Sequence, residues 1–136
     1  MSESKSALII ANYRYEHPDL RQLVAPAQDA ESLARVLTDP VIGGFQVRTL
    51  VNEPSYKVSL EIESFFDNRK RDDLLLLYFS GHGVTDVSDG QLYFATIDTQ
   101  LVQHNPRRAT TVPAQFVNEV MSRSRSRRQI LLLDCC

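Results

Sequence analysis

Two short segments hold the residue types that do chemistry. Ser80-Gly81-His82-Gly83 sets an imidazole between glycines, and Asp134-Cys135-Cys136 sets a carboxylate beside two thiols. Flanking glycines let the backbone around an imidazole approach a ligand closely. A Cys and a His together are the minimum for nucleophilic thiol catalysis. The thiolate attacks a carbonyl, while the imidazole supports thiolate formation and later protonates the leaving amine. His82 and Cys136 stand 54 residues apart, so this chemistry needs a fold that joins their segments. Two other readings are weaker. A zinc site from His82, Cys135 and Cys136 lacks the spaced Cys pair such sites use. The turn at Ser80 lacks the glycine two residues earlier that marks a serine-hydrolase elbow.

The elements that would position these groups are legible in the apolar pattern. Four runs read as strands: residues 7–11, 45–51, 74–79 and 130–133. Leu74 to Phe79 and Ile130 to Leu133 do not alternate with polar residues, which suits strands buried on both faces of a parallel sheet. Between the runs lie helical spacings. Ala30, Leu33, Ala34 and Leu37 form one stripe, with Pro26 in its first turn and Gly43-Gly44 beyond its end. Val58, Ile62, Phe65 and Phe66 form a second, with Ser55 as N-cap. Pro113, Phe116, Val117, Val120 and Met121 form a third. The order β-α-β-α-β-insert-α-β predicts a doubly wound α/β sheet with right-handed crossovers. The insert, from about Val84 to Arg108, contains an Asp89-Gly90 turn and a strand over 91–96, read as a small hairpin or edge excursion followed by a loop through Asn105-Pro106.

In such sheets ligands gather beyond the carboxyl ends of the strands. The third strand ends at His82 and the fourth at Cys136. If those strands are neighbours, imidazole and thiol meet. Alternation along a strand puts Asp134 and Cys136 on one face and Cys135 on the other, where it reads as a small buried hydrophobe.

Composition bounds the partners. With 136 residues the chain is the size of one domain, and 43% apolar residues with 24% charged is globular composition. A net charge of −2 gives no overall attraction to nucleic acid or anionic membrane. No run is long enough to span a bilayer, and residues 1–5 lack signal-peptide character. The two cysteines are adjacent and cannot staple distant segments, so the expectation is a soluble, cytoplasmic protein.

The segments Ala7 to Tyr13, Ala27 to Leu37, Leu77 to Gly83 and Leu131 to Cys136, in that order, resemble the caspase-like cysteine peptidases, in particular bacterial and metacaspase-type relatives. The resemblance implies a three-layer sandwich with a mostly parallel central sheet: the first four strands, their flanking helices and a small hairpin insert. It implies that His82 is the catalytic His and Cys136 the nucleophile, with the backbone N–H groups of Gly83 and Cys136 as oxyanion hole. Asp134 matches the acidic residue lining the pocket for the side chain before the scissile bond, and favours cleavage after Arg or Lys. The animal-caspase signature Gln-Ala-Cys-x-Gly is absent.

The family sheet continues with further strands. Residues 1–136 are therefore expected to be the N-terminal, large-subunit-like part of the domain, with a C-terminal segment supplied as a second chain or fragment. The implied partner is otherwise a protein or peptide substrate, with no nucleic acid and no membrane. No cofactor or metal is implied, although some metacaspase relatives use calcium as an activator. Asp86 and Asp89 read as turn residues without a calcium-loop pattern. The alternative to a cysteine endopeptidase is a caspase-fold regulatory or ligand-sensing scaffold without proteolysis. Arg123, Arg125, Arg127 and Arg128 read as a solvated patch at a helix end, where cations suit the dipole, or as a self-processing site.

Overall fold

The computed structural model describes residues 4–135. Strand β1 (Lys5–Ala11) leads to helix α1 (Ala25–Thr38), then β2 (Gln46–Val51), α2 (Ser55–Phe66) and β3 (Leu74–Gly81). An insert follows: β4 (Gly83–Thr85), β5 (Leu92–Ala95), β6 (Leu101–Val102), β7 (Asn105–Pro106), a 3-10 turn and β8 (Thr111–Pro113). Helix α3 (Ala114–Arg123) and β9 (Arg128–Cys135) complete the order. The main sheet runs β2-β1-β3-β9 and every pairing in it is parallel. The expected alternation of strands and helices is what the structure has.

Each face of the central strands buries a different helix layer. Leu8 and Ile10 of β1 and Leu75, Leu77 and Phe79 of β3 pack with Val58, Ile62, Phe65 and Phe66 of α2 and Val117 of α3. Ile9, Ala11 and Tyr78 point the other way, onto Ala30, Leu33, Ala34 and Leu37 of α1. Period-two alternation with apolar residues at both phases explains the unbroken runs. Burying a side chain such as Leu77 stabilises the fold by about 1.5–3 kcal/mol. The result is a three-layer α/β sandwich.

Three local expectations are corrected. Ser55 is the first residue of α2 rather than its cap. Its N–H donates to Asp98 Oδ1 (2.9 Å) and its hydroxyl to Asp98 Oδ2 (3.0 Å), so a carboxylate from the insert satisfies the helix start. The insert is larger than a hairpin, because β4, β5 and β8 form a three-stranded antiparallel sheet. Within it, β6 and β7 make a tight hairpin whose turn residues, Gln103 and His104, both have positive φ (52° and 70°), as a type I′ turn requires. Cys135 is exposed rather than buried, because β9 is an edge strand. Ile130 (47%), Leu132 (45%) and Leu133 (42%) on that strand are exposed too.

Candidate active site

The two chemically suggestive strands are direct neighbours. β3 and β9 pair in parallel from Leu74↔Arg128 to Gly81↔Cys135, so both end at the same rim of the sheet. His82 follows immediately after Gly81. Cys136 lies outside the described residues, and Cys135 is the last residue of β9 to be placed.

Gly81 is required at the end of β3. Its φ of +155° disfavours any side chain, and a Cβ there would sit 2.8 Å from Tyr15 Oη and 2.9 Å from the Asn12 carbonyl oxygen. The chain then turns out of the sheet at His82 and enters the insert, where the His82 carbonyl accepts the Ala95 N–H (2.9 Å). Gly83 opens β4 beside β9. A Cβ on it would stand 3.5 Å from Cys135 Sγ and 3.1 Å from Leu92 Cδ1.

The imidazole is held from the loop between β1 and α1. His82 Nε2 lies 2.7 Å from the Arg21 carbonyl oxygen. That oxygen can only accept, so Nε2 carries the proton and Nδ1 is the basic nitrogen of the neutral ring. A base oriented by a fixed acceptor is the arrangement nucleophilic triads use, here with a peptide carbonyl as the third group. Tyr15 closes the other side. Its ring centroid is 4.9 Å from that of His82 at a 52° tilt, and its hydroxyl accepts the His82 N–H at 2.9 Å. Beside this contact the same loop forms a cleft of about 610 Å³ lined by Tyr13, Tyr15, Leu23, Val24 and Ile97. Another cavity of about 560 Å³ lies between the C-terminal ends of α2 and α3, lined by residues such as Phe66, Arg69 and Arg123. It sits at the opposite end of the strands and holds neither imidazole nor thiol.

Asp134 pairs with Ser80 across the two strands and accepts a 3.3 Å hydrogen bond from the Tyr78 hydroxyl. It therefore lies on the α1 side of the sheet, while Cys135 sits against Gly83, so the alternation expected of this strand holds from Asp134 to Cys135. Asp134 is exposed. Burial pushes the Tyr78 phenol above the usual tyrosine range; the Ser80 hydrogen bond opposes this, and the charges of Asp134 and Asp29 reinforce it. Two carboxylates thus act on one point of this face.

Asp86 accepts from Ser88 N–H (2.8 Å) and Ser88 Oγ (2.6 Å). Asp89 accepts from Gln91 N–H (2.8 Å) and Tyr93 Oη (2.7 Å). Both serve the turn between β4 and β5. Among the described residues no cluster of His, Cys, Asp and Glu could hold a metal ion, and no helix is long and apolar enough to cross a membrane.

Tyr15, the Arg21 carbonyl and Gln22, which ties the loop to Tyr15, were not among the residues singled out from sequence. A backbone acceptor leaves no residue-type signal. The one available cue was position, since Tyr13 and Tyr15 follow the carboxyl end of β1.

No curated protein matches the sequence. The sequence profile of one family, the caspase domain, matches residues 4–136. With the parallel sheet, the flanking helix layers and the imidazole at the strand rim, that match settles the family: the chain belongs to the caspase-domain peptidases.

Proposed function

We propose that the protein is a cysteine endopeptidase that cleaves after Arg or Lys through a dyad of Cys136 and His82. The observation that carries this reading is the parallel pairing of β3 with β9 up to Gly81↔Cys135. The residues that follow those two are His82 and Cys136. In this reading the Cys136 thiolate attacks the scissile carbonyl carbon, and the oxyanion is received by the N–H groups of Gly83 and Cys136. His82 Nδ1, which takes the Cys136 thiol proton as the thiolate forms, gives that proton to the leaving amine, with Nε2–H kept on the Arg21 carbonyl throughout. Water then attacks the acyl-enzyme, His82 takes its proton, and the thiolate is released with the acid product.

Asp134 supports the basic preference. Its carboxylate lies at the end of β9 on the Tyr78 side of the sheet, where a guanidinium or ammonium would be attracted and a substrate carboxylate repelled. No metal or cofactor enters this scheme, and calcium would act only as an activator.

The edge of β9 is the place for the C-terminal segment of the same peptidase, supplied as a second chain or fragment. What supports this is the row of exposed Ile130, Leu132 and Leu133 on an edge strand, a surface that soluble sheets ordinarily pair or cover. Residues 1–136 then act as the large-subunit-like part of the domain. Labelling with a thiol-reactive peptide warhead bearing Arg tests the reading. Modification of Cys136 that is lost in H82A supports it, and an unmodified Cys136 favours the non-proteolytic scaffold.

A further inference from the structure

We propose that Tyr15 is a positioning residue for His82, acting on its backbone, its ring and the carbonyl that holds it; this rests on the peptidase reading above. The need for such a residue follows from Gly81. A glycine at φ +155° gives the end of β3 little intrinsic direction, so the imidazole after it must be fixed by other contacts. Tyr15 supplies them from β1's side of the rim. The residue is 4% exposed. The hydroxyl donates to the Asn12 carbonyl (2.9 Å) and accepts the His82 N–H (2.9 Å), bridging the ends of β1 and β3. The ring packs on the imidazole at 4.9 Å.

The backbone of Tyr15 reaches the third point. Its N–H donates to Gln22 Oε1 (2.8 Å) and its carbonyl accepts from Gln22 Nε2 (2.8 Å). This reciprocal pair pins the residue next to Arg21, whose carbonyl receives His82 Nε2–H. Removing the phenol oxygen leaves the ring volume intact but takes one hydrogen-bond partner from both His82 N–H and Asn12 C=O. The imidazole is then free to turn from Arg21 and to exchange tautomers.

The test is a double-mutant cycle in the full-length protein, Y15F with H82A, read by the rate at which iodoacetamide modifies Cys136. Peptide mass spectrometry separates that site from Cys135. Y15F should slow Cys136 modification about tenfold when His82 is present and have no effect in H82A. In parallel, nitrogen NMR of the His82 ring should show the Nε2–H tautomer in the wild type and a mixture in Y15F. Q22M, which releases the loop without touching the core, should also give the mixture. Equal costs of Y15F in both backgrounds, or an unchanged tautomer in Y15F and Q22M, overturns the proposal. A wild-type protein that cleaves no peptide overturns the peptidase reading instead, because the tautomer is read from the ring itself.

Discussion

The Tyr78 hydroxyl donates to Asp134 Oδ2 across 3.3 Å, linking the carboxylate at the end of β9 to the buried centre of the sheet. This contact sets Asp134 on the α1 side of the sheet. D134A should lower kcat/KM about 10- to 100-fold for peptides with Arg before the scissile bond, since a hydrogen bond between charged groups is removed. The modification rate of Cys136 by a small neutral reagent should stay near wild type. Indifference of Arg peptides to D134A, or a preference for Asp peptides, would remove the basic pocket and leave the dyad standing.

Asp73 locks the entrance of β3. Its carboxylate accepts the Lys70 N–H (2.7 Å), the Ser4 hydroxyl (2.9 Å) and the Ser4 N–H (3.4 Å). The Lys70 hydrogen bond is the strongest influence holding it below the usual carboxylate range; burial opposes it, and Ser4 and the Arg69 charge assist. A carboxylate depressed in the folded state binds its proton more readily when unfolded. Its stabilisation is therefore present above the unfolded value of about 3.9 and is lost as pH falls through the folded value. Melting temperature against pH in wild type and D73N reads this directly. D73N should melt lower at neutral pH and fall less steeply below about pH 4, whereas parallel curves would contradict the assignment.

The Asp98 cap joins the insert to α2. D98A removes the acceptor of both Ser55 bonds and of the Thr96 hydroxyl (2.6 Å). Loss of a capping side chain costs about 1 kcal/mol, so the urea midpoint should drop, with Ser55→Ala costing less because Asp98 still receives the Ser55 N–H. An unchanged midpoint in D98A would show that the cap contributes nothing.

Gly81 has two independent reasons to be glycine, its φ and the close approach of Tyr15 and Asn12. G81A should therefore lower stability by roughly 1–3 kcal/mol and also reduce activity by displacing His82. Full activity in G81A at wild-type stability would mean that the turn tolerates a side chain.

What was legible in the sequence follows from periodicity. Leu74–Phe79 is a strand buried on both faces, as its two apolar phases imply, and the helix stripes are the faces laid against it. Ile130–Leu133 is a strand too, but the burial expected of both its faces fails, since Ile130, Leu132 and Leu133 are exposed at the sheet edge. The Ser80-Gly81-His82-Gly83 turn stood out by residue type alone. What stayed hidden depends on distant or backbone partners. Asp98 caps a helix 43 residues earlier in the chain, a pairing no local pattern encodes. Gln103 and His104 turn a hairpin without the glycine or asparagine that ordinarily signals one. The Arg21 carbonyl is hidden for the same reason, since every residue has a carbonyl. Cys135 read as buried because alternation turns it away from Asp134 and Cys136, yet the edge strand leaves it exposed.

The central claim is that His82 and Cys136 together cleave peptides. The most direct measurement is steady-state hydrolysis by the full-length protein of matched peptides bearing Arg, Lys or Asp before the scissile bond, alongside H82A and C136A. Cleavage after Arg and Lys, reduced by at least about 100-fold in H82A and abolished in C136A, is the expected result. Hydrolysis that survives C136A, or a correctly folded wild-type protein that cleaves none of the three peptides, would contradict it.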